Sequence, residues 1–127
     1  MIRFRQLPAV ICLLASAVLL VAASAGGDWL DHVPQKDRVR TNPFAQDSDA
    51  TTAGAKLYQQ HCASCHGNDA QGKSKHPSLH SDTVRGAQPG ELQWLLTNGS
   101  LRRGMPSWSK LPEDQRWQLV TYLKTLQ

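Results

Sequence analysis

Cys62-Ala63-Ser64-Cys65-His66 is the stretch of this chain whose residue types and spacing point most directly to chemistry. A Cys-Xaa-Xaa-Cys-His run is a pattern for attaching haem covalently. With residues 58–66 helical, Cys62 and Cys65 stand three apart on one face, so both sulfurs reach the vinyl groups along one edge of a porphyrin. His66 then falls under the metal and can donate a ring nitrogen to iron as its fifth ligand. The Cys-Xaa-Xaa-Cys pair alone also serves as a redox dithiol or as half of a zinc site. No βαβ pattern accompanies it, as a thioredoxin-like motif requires, and the remaining cysteine of the three is Cys12, inside an N-terminal apolar run. Zinc held by Cys62, Cys65 and two of His61, His76 and His80 stays open, although those spacings do not follow the usual structural-zinc grammar.

An electron carrier benefits from six-coordinate iron, because unchanged ligation in both oxidation states keeps rearrangement small. The sequence holds two methionines, Met1 and Met105. Met105 sits in Arg103-Gly104-Met105-Pro106-Ser107-Trp108, where Gly104 permits close backbone approach and Pro106 stiffens the loop that would present the thioether. Axial His/Met ligation raises the reduction potential. The competing readings are a methionine that fills a gap in the core and bis-histidine ligation through His76 or His80. His61 is expected at the surface.

The elements that must position these groups are helical. Leu57, Tyr58 and Cys62 fall along one side of a helix expected over about Thr52–Cys65, with Gly67 as its stop. From Gly67 to Gln88 the chain is rich in Gly, Ser, Asn, Asp, Lys and His and reads as a loop, long enough to be functional. A second helix starts at Pro89, a favoured first helical residue, and ends near Asn98-Gly99. A second loop carries Met105. The last helix opens at Pro112-Glu113-Asp114, with acids where they suit the dipole, and shows Trp117, Val120 and Leu123 at helical spacing, backed by Leu119, Tyr122 and Leu126. No strand or repeat is visible. Three short helices over residues 51–127 make a meagre core, which a bound cofactor would complete.

Arg3 and Arg5, an apolar run from Pro8 to Ala25 and the small residues Ala23-Ser24-Ala25 match a secretory signal peptide cut after Ala25. An uncleaved membrane anchor is the alternative, since the run is near the lower length for crossing a bilayer. Export places two nearby thiols in an oxidising compartment, where haem attachment is one use for them. Residues 26–50 read as an extended linker or as a strap whose Trp29, Val33, Val39 and Phe44 pack on the domain. The chain's net charge of +4 is carried by its second part: residues 26–50 hold 3 basic and 5 acidic groups, residues 51–127 hold 9 and 5. This is too sparse a basic pattern for nucleic acid. Lys73, Lys75, Arg102, Arg103 and Lys110 lie in the two loops and suit docking to an acidic partner.

Over Thr51–Gln127 the chain resembles the class I cytochromes c, specifically small bacterial single-haem members. Gly54 and Tyr58 resemble the family's glycine and aromatic on the first helix, which pack against the last helix, here near Leu119 and Tyr122. Pro77 and Leu79 resemble the proline and leucine after the haem motif; the family's proline carbonyl accepts a hydrogen bond from the proximal histidine, here His66, which fixes its tautomer. Met105-Pro106 resembles the distal methionine loop. The resemblance implies an all-α fold of three to four short helices around one haem c, attached through Cys62 and Cys65, with iron between His66 and Met105. It implies a periplasmic one-electron carrier that is not an enzyme, or one anchored to the periplasmic face of the inner membrane. Its partners would be redox proteins, a dehydrogenase or quinol-oxidising complex as donor and a terminal oxidase as acceptor. An electron-accepting subunit of a periplasmic dehydrogenase is the alternative, and a haem enzyme or gas sensor with an open sixth position a more distant one.

Overall fold

The computed structural model describes residues 28–126; the expected signal or anchor segment at 1–25 lies outside the described residues. Six α-helical segments follow in order: α1 (Gln35–Arg38), α2 (Ser48–His61), α3 (Ala63–His66), α4 (Asp82–Gly86), α5 (Pro89–Asn98) and α6 (Glu113–Thr125). Two 3-10 turns, at Asp28–His32 and Leu101–Arg103, are the other helical elements among the described residues. Among the described residues there is no strand, only isolated bridges at Lys73–His76 and Ser100–Met105. The molecule is all-α, and α2, α5 and α6 carry most of its core. Within the described residues no helix is long and apolar enough to cross a membrane.

α2 begins four residues before the expected Thr52. The cause is Asp47, whose carboxylate accepts from the backbone N–H groups of Asp49 and Ala50 at 2.8 and 3.0 Å and caps the helix. The helix also stops short of Cys65. Cys62 departs from helical geometry with φ −115°, and the rest of the motif forms the separate turn α3. The long loop after Gly67 contains α4, which Ser81 caps by accepting from the Val84 N–H. Lys124, reaching from α6, donates to the carbonyls of Arg85 and Ala87 at the other end of α4 (2.7 and 3.1 Å).

Among the described residues α2 and α6 share the most extensive helix interface. The crossing is close because Gly54 faces α6: a Cβ there would stand 2.7 Å from the Gln118 carbonyl carbon and 2.9 Å from the Tyr122 Cβ. One turn on, Tyr58 is fully buried, its ring 5.3 Å from that of Tyr122. Leu119 and Val120 of α6 are also fully buried.

The segment before α2 is not extended throughout, since it holds the first 3-10 turn and α1. Trp29 and Val33 are buried and Phe44 packs against the core, whereas Val39, expected to do the same, is 66% exposed. Polar contacts set this course. Arg38 donates Nε to the Val33 carbonyl and Nη2 to the Leu30 carbonyl, and its Nη1 pairs with buried Glu91 of α5 at 2.5 Å. With Arg38 turned inward, the next side chain points out. Gly90 lets this segment lie directly on α5: a Cβ there would clash with the Asp37 carbonyl oxygen and crowd those of Arg40 and Arg38 at 3.0 and 3.1 Å. Further along, Arg40 pairs with Glu113 and lies over the Trp117 ring, and Asn42 donates to Thr121 Oγ1 at 2.9 Å. Trp117 and Arg40 together hold the Glu113 carboxyl below the usual carboxylate range.

Gly54→Val is expected to lower stability by about 2–3 kcal/mol, because the added methyls push α6 off α2. Guanidinium denaturation of the haem-loaded protein measures it, and an unchanged midpoint would contradict the close crossing.

Candidate functional site

The site is built outward from α3. The α2–α6 crossing fixes the end of α2, and Cys62, Cys65 and His66 follow within five residues. Cys62 and Cys65 are free thiols, both half-buried. Burial, and then the neighbouring Cys65, push the Cys62 thiol up to about 11. At neutral pH it is therefore protonated in the metal-free chain.

The loop after α3 folds back on it. Gly72 N–H donates to the His66 carbonyl at 2.8 Å, Leu79 N–H to the Ala70 carbonyl at 2.8 Å, and the buried Tyr58 hydroxyl to the Gly67 carbonyl at 2.6 Å. This brings the Pro77 carbonyl to 2.9 Å from Nδ1 of His66. As a carbonyl only accepts, Nδ1 carries the proton and Nε2 keeps its lone pair for a metal. Lys73 reaches across to donate to the Ser64 carbonyl at 3.3 Å.

His76 and His80 lie in the same loop and bond to it. His76 Nδ1 stands 3.2 Å from the Lys73 carbonyl, and His80 Nε2 stands 2.9 Å from the Asp69 carbonyl. His76 presents its ring edge to that of His66, 6.3 Å between centroids. Among the described residues no group of three or more His, Cys, Asp or Glu is placed to hold a metal ion, which leaves the zinc alternative without a ligand set.

Met105 is positioned by different elements. It is half-buried against the core, in the loop after α5. Ser100 and Met105 exchange two backbone hydrogen bonds, 2.9 and 3.1 Å, across the 3-10 turn. Beyond it, Ser107 Oγ donates to the Thr97 carbonyl at 2.6 Å and Trp108 N–H to the Leu96 carbonyl at 2.8 Å. Arg116, buried on α6, donates Nη1 to the carbonyls of Ser109 and Leu111. The methionine loop is thus pinned to α5 at one end and to α6 at the other. Its link to the thiol stretch runs through Trp108, whose ring lies 5.2 Å from that of His61. His61, expected at the surface, is half-buried in this contact because α2 ends before Cys62 and turns its last side chain toward the loop.

Two cysteines three apart, an imidazole with its tautomer set and a thioether on a clasped loop are residue types able to hold a covalent haem. Residues 49–123 match the family model described as cytochrome c oxidase, cbb3-type, subunit III. The chain belongs to this cytochrome c family. It is 30% identical over 106 residues to cytochrome c550 of Pseudomonas aeruginosa, covering 80% of this chain and 69% of that protein. It is 33% identical over 81 residues to the cbb3-type cytochrome c oxidase subunit CcoP of Azospirillum brasilense, covering 58% of this chain and 27% of that one. A third relative, the FixP oxidase subunit of Sinorhizobium medicae, is 32% identical over 79 residues, 61% of this chain and 27% of its own. The chain therefore spans about a quarter of the length of the oxidase subunits it matches and about two thirds of that of the c550.

Sequence reasoning did not find Arg116, Arg38 or the His61–Trp108 contact. An arginine on the apolar side of α6 was the one available signal, since a buried cation must find acceptors.

Burial, foremost, pushes the Tyr58 phenol up to about 12, above the ordinary phenol value of about 10. A phenol that holds its proton more tightly when folded contributes stability that is whole below pH 10 and lost as pH rises toward 12. Tyr58→Phe is expected to cost about 1–2 kcal/mol at pH 7, since the Gly67 carbonyl loses its donor, and to flatten the alkaline decline. Urea titrations at pH 7 to 12 measure both, and parallel declines in the two proteins would contradict the assignment.

Proposed function

We propose that this cytochrome c domain is an exported one-electron carrier. The observation that carries the reading is the His66–Pro77 hydrogen bond next to Cys62 and Cys65, on a chain that belongs to a cytochrome c family. When bound, the haem iron supplies a one-electron couple. The chain's own residues do the rest: Cys62 and Cys65 tether, His66 offers Nε2, and Pro77 holds that ring and raises its basicity. Met105, on the loop pinned by Leu96, Thr97 and Arg116, would offer its thioether to the iron. A clasped loop suits this role, because a ligand that stays in place in both oxidation states keeps rearrangement small.

The carrier works in the periplasm, delivered by the apolar run at 8–25 as a signal or held at the inner membrane by it. It takes electrons from a dehydrogenase or quinol-oxidising complex and passes them toward a terminal oxidase. A place as a haem subunit inside a larger complex is the second reading, and similarity to relatives named as oxidase subunits favours it.

Met105 separates the carrier from a haem enzyme or gas sensor. The oxidised wild-type protein is expected to show a sulfur-to-iron charge-transfer band in the near infrared, and the reduced protein to refuse carbon monoxide. Met105→Ala is expected to abolish the band, admit carbon monoxide and lower the reduction potential. A wild-type protein that lacks the band and binds carbon monoxide readily would sink the carrier reading in favour of an open sixth position.

A further inference from the structure

Residues 28–47 precede the stretch that the family model matches, yet a charge pair with a buried carboxylate fastens them to the domain. All three nitrogens of the Arg38 guanidinium are used. Nε and Nη2 donate to the carbonyls of Val33 and Leu30, which folds the segment on itself, and Nη1 meets Glu91 Oε1 at 2.5 Å. The other oxygen of Glu91 accepts from the Gln88 N–H at 2.7 Å and closes the first turn of α5. One carboxylate therefore both caps α5 and fastens the segment to it.

The opposite end of α5 holds the methionine loop. The carbonyls of Leu96 and Thr97 accept from Trp108 N–H and Ser107 Oγ at 2.8 and 2.6 Å. Gly99, which ends the helix, lies against the residue after Met105: a Cβ on it would stand 2.6 Å from the Pro106 carbonyl carbon and 2.7 Å from the Ser107 nitrogen. Between the two ends runs one helix of 10 residues, a rod about 15 Å long. A shift at its first turn is carried to its last.

We propose that Arg38 and Glu91 are positioning residues for the thioether of Met105: the pair sets where α5 lies, and α5 sets how firmly the loop holds the sulfur on the iron. Resting on the carrier reading above, this gives residues 28–47 a function, control of an axial ligand from outside the haem-binding motifs. A buried ion pair adds little net stability over well-packed apolar side chains of the same size. It does fix register, because a guanidinium fork must meet its carboxylate in one geometry, whereas an apolar seam would let the segment slide along α5. Arg40 and Asn42 fasten the same segment to α6. Loss of Arg38 thus frees α5 without releasing the whole segment.

The test titrates the oxidised, haem-loaded full chain with imidazole. Imidazole binds the iron only while the thioether is off it, so its apparent affinity reports how often the loop lets go. The sulfur-to-iron band in the near infrared is measured first on the wild type. Its absence would sink the carrier reading and this proposal with it; on protein that shows the band, the variants judge the proposal alone. Arg38→Met is expected to raise the apparent imidazole affinity about tenfold. Arg38→Met combined with Glu91→Gln removes the pair without leaving a buried ion and keeps an acceptor for the Gln88 N–H; the affinity is expected to stay raised at least about fivefold. Should Arg38→Met alone fail to take up haem, the double variant decides. Tyr58→Phe, which weakens the fold away from the methionine loop, is expected to change the affinity less than about twofold. Wild-type affinity in the double variant would assign the effect to stranded charge, and an equal rise in Tyr58→Phe would assign it to general loosening. Either result would overturn the proposal.

Discussion

The separation between α2 and α6 is the constraint on which the rest of this structure depends. Gly54 has no side chain to hold the helices apart, so the α6 backbone near Gln118 comes down onto α2 and Tyr58 is sealed beneath it. Sealing Tyr58 gives its hydroxyl one available partner, the Gly67 carbonyl, and that bond draws the end of α3 toward the helix pair. The thiols and His66 are therefore placed by a helix crossing two turns away. The loop that folds over α3 then supplies the Pro77 carbonyl, and the imidazole is left with one defined nitrogen to offer.

A second consequence concerns the small size of the core. Helices α2, α5 and α6 alone would bury little apolar surface, and domains of this length are marginal without further support. Here part of the support comes from the segment before α2. Arg38 reaches Glu91 on α5, Arg40 and Asn42 reach α6, and Trp29 and Val33 enter the core. Both helices that pin the methionine loop are thus braced by the same segment. Removing Arg38 would leave buried Glu91 as an uncompensated charge on α5, which is costly in a way that the surface pairs are not.

How much of this was legible in the sequence follows from what kind of force set each part. Cys62, Cys65 and His66 were readable because covalent and metal chemistry demand fixed residue types at fixed spacing. α5 and α6 were readable because Pro89 and the acids at 113–114 mark their starts. The start of α2 was hidden because Asp47 looks alike as a loop residue and as a cap, and the break at Cys62 has no residue signature. Val39 was misplaced because hydrophobicity alone cannot tell which of two neighbours turns inward; the Arg38–Glu91 pair, between residues far apart in sequence, decided it. The Pro77 carbonyl carries no side-chain signature at all, and only resemblance pointed to it. Arg116 and the His61–Trp108 contact depend on loop course, which periodicity does not encode.

The central claim is that this chain carries one haem tethered through both cysteines of α3. The most direct measurement is a pyridine haemochrome spectrum combined with intact mass, on protein from a host able to mature such cytochromes. The account predicts one haem per chain, retained after denaturation, with the spectrum of a porphyrin whose two vinyl groups are both saturated. A colourless mature chain, or haem that separates from the polypeptide on unfolding, would contradict it.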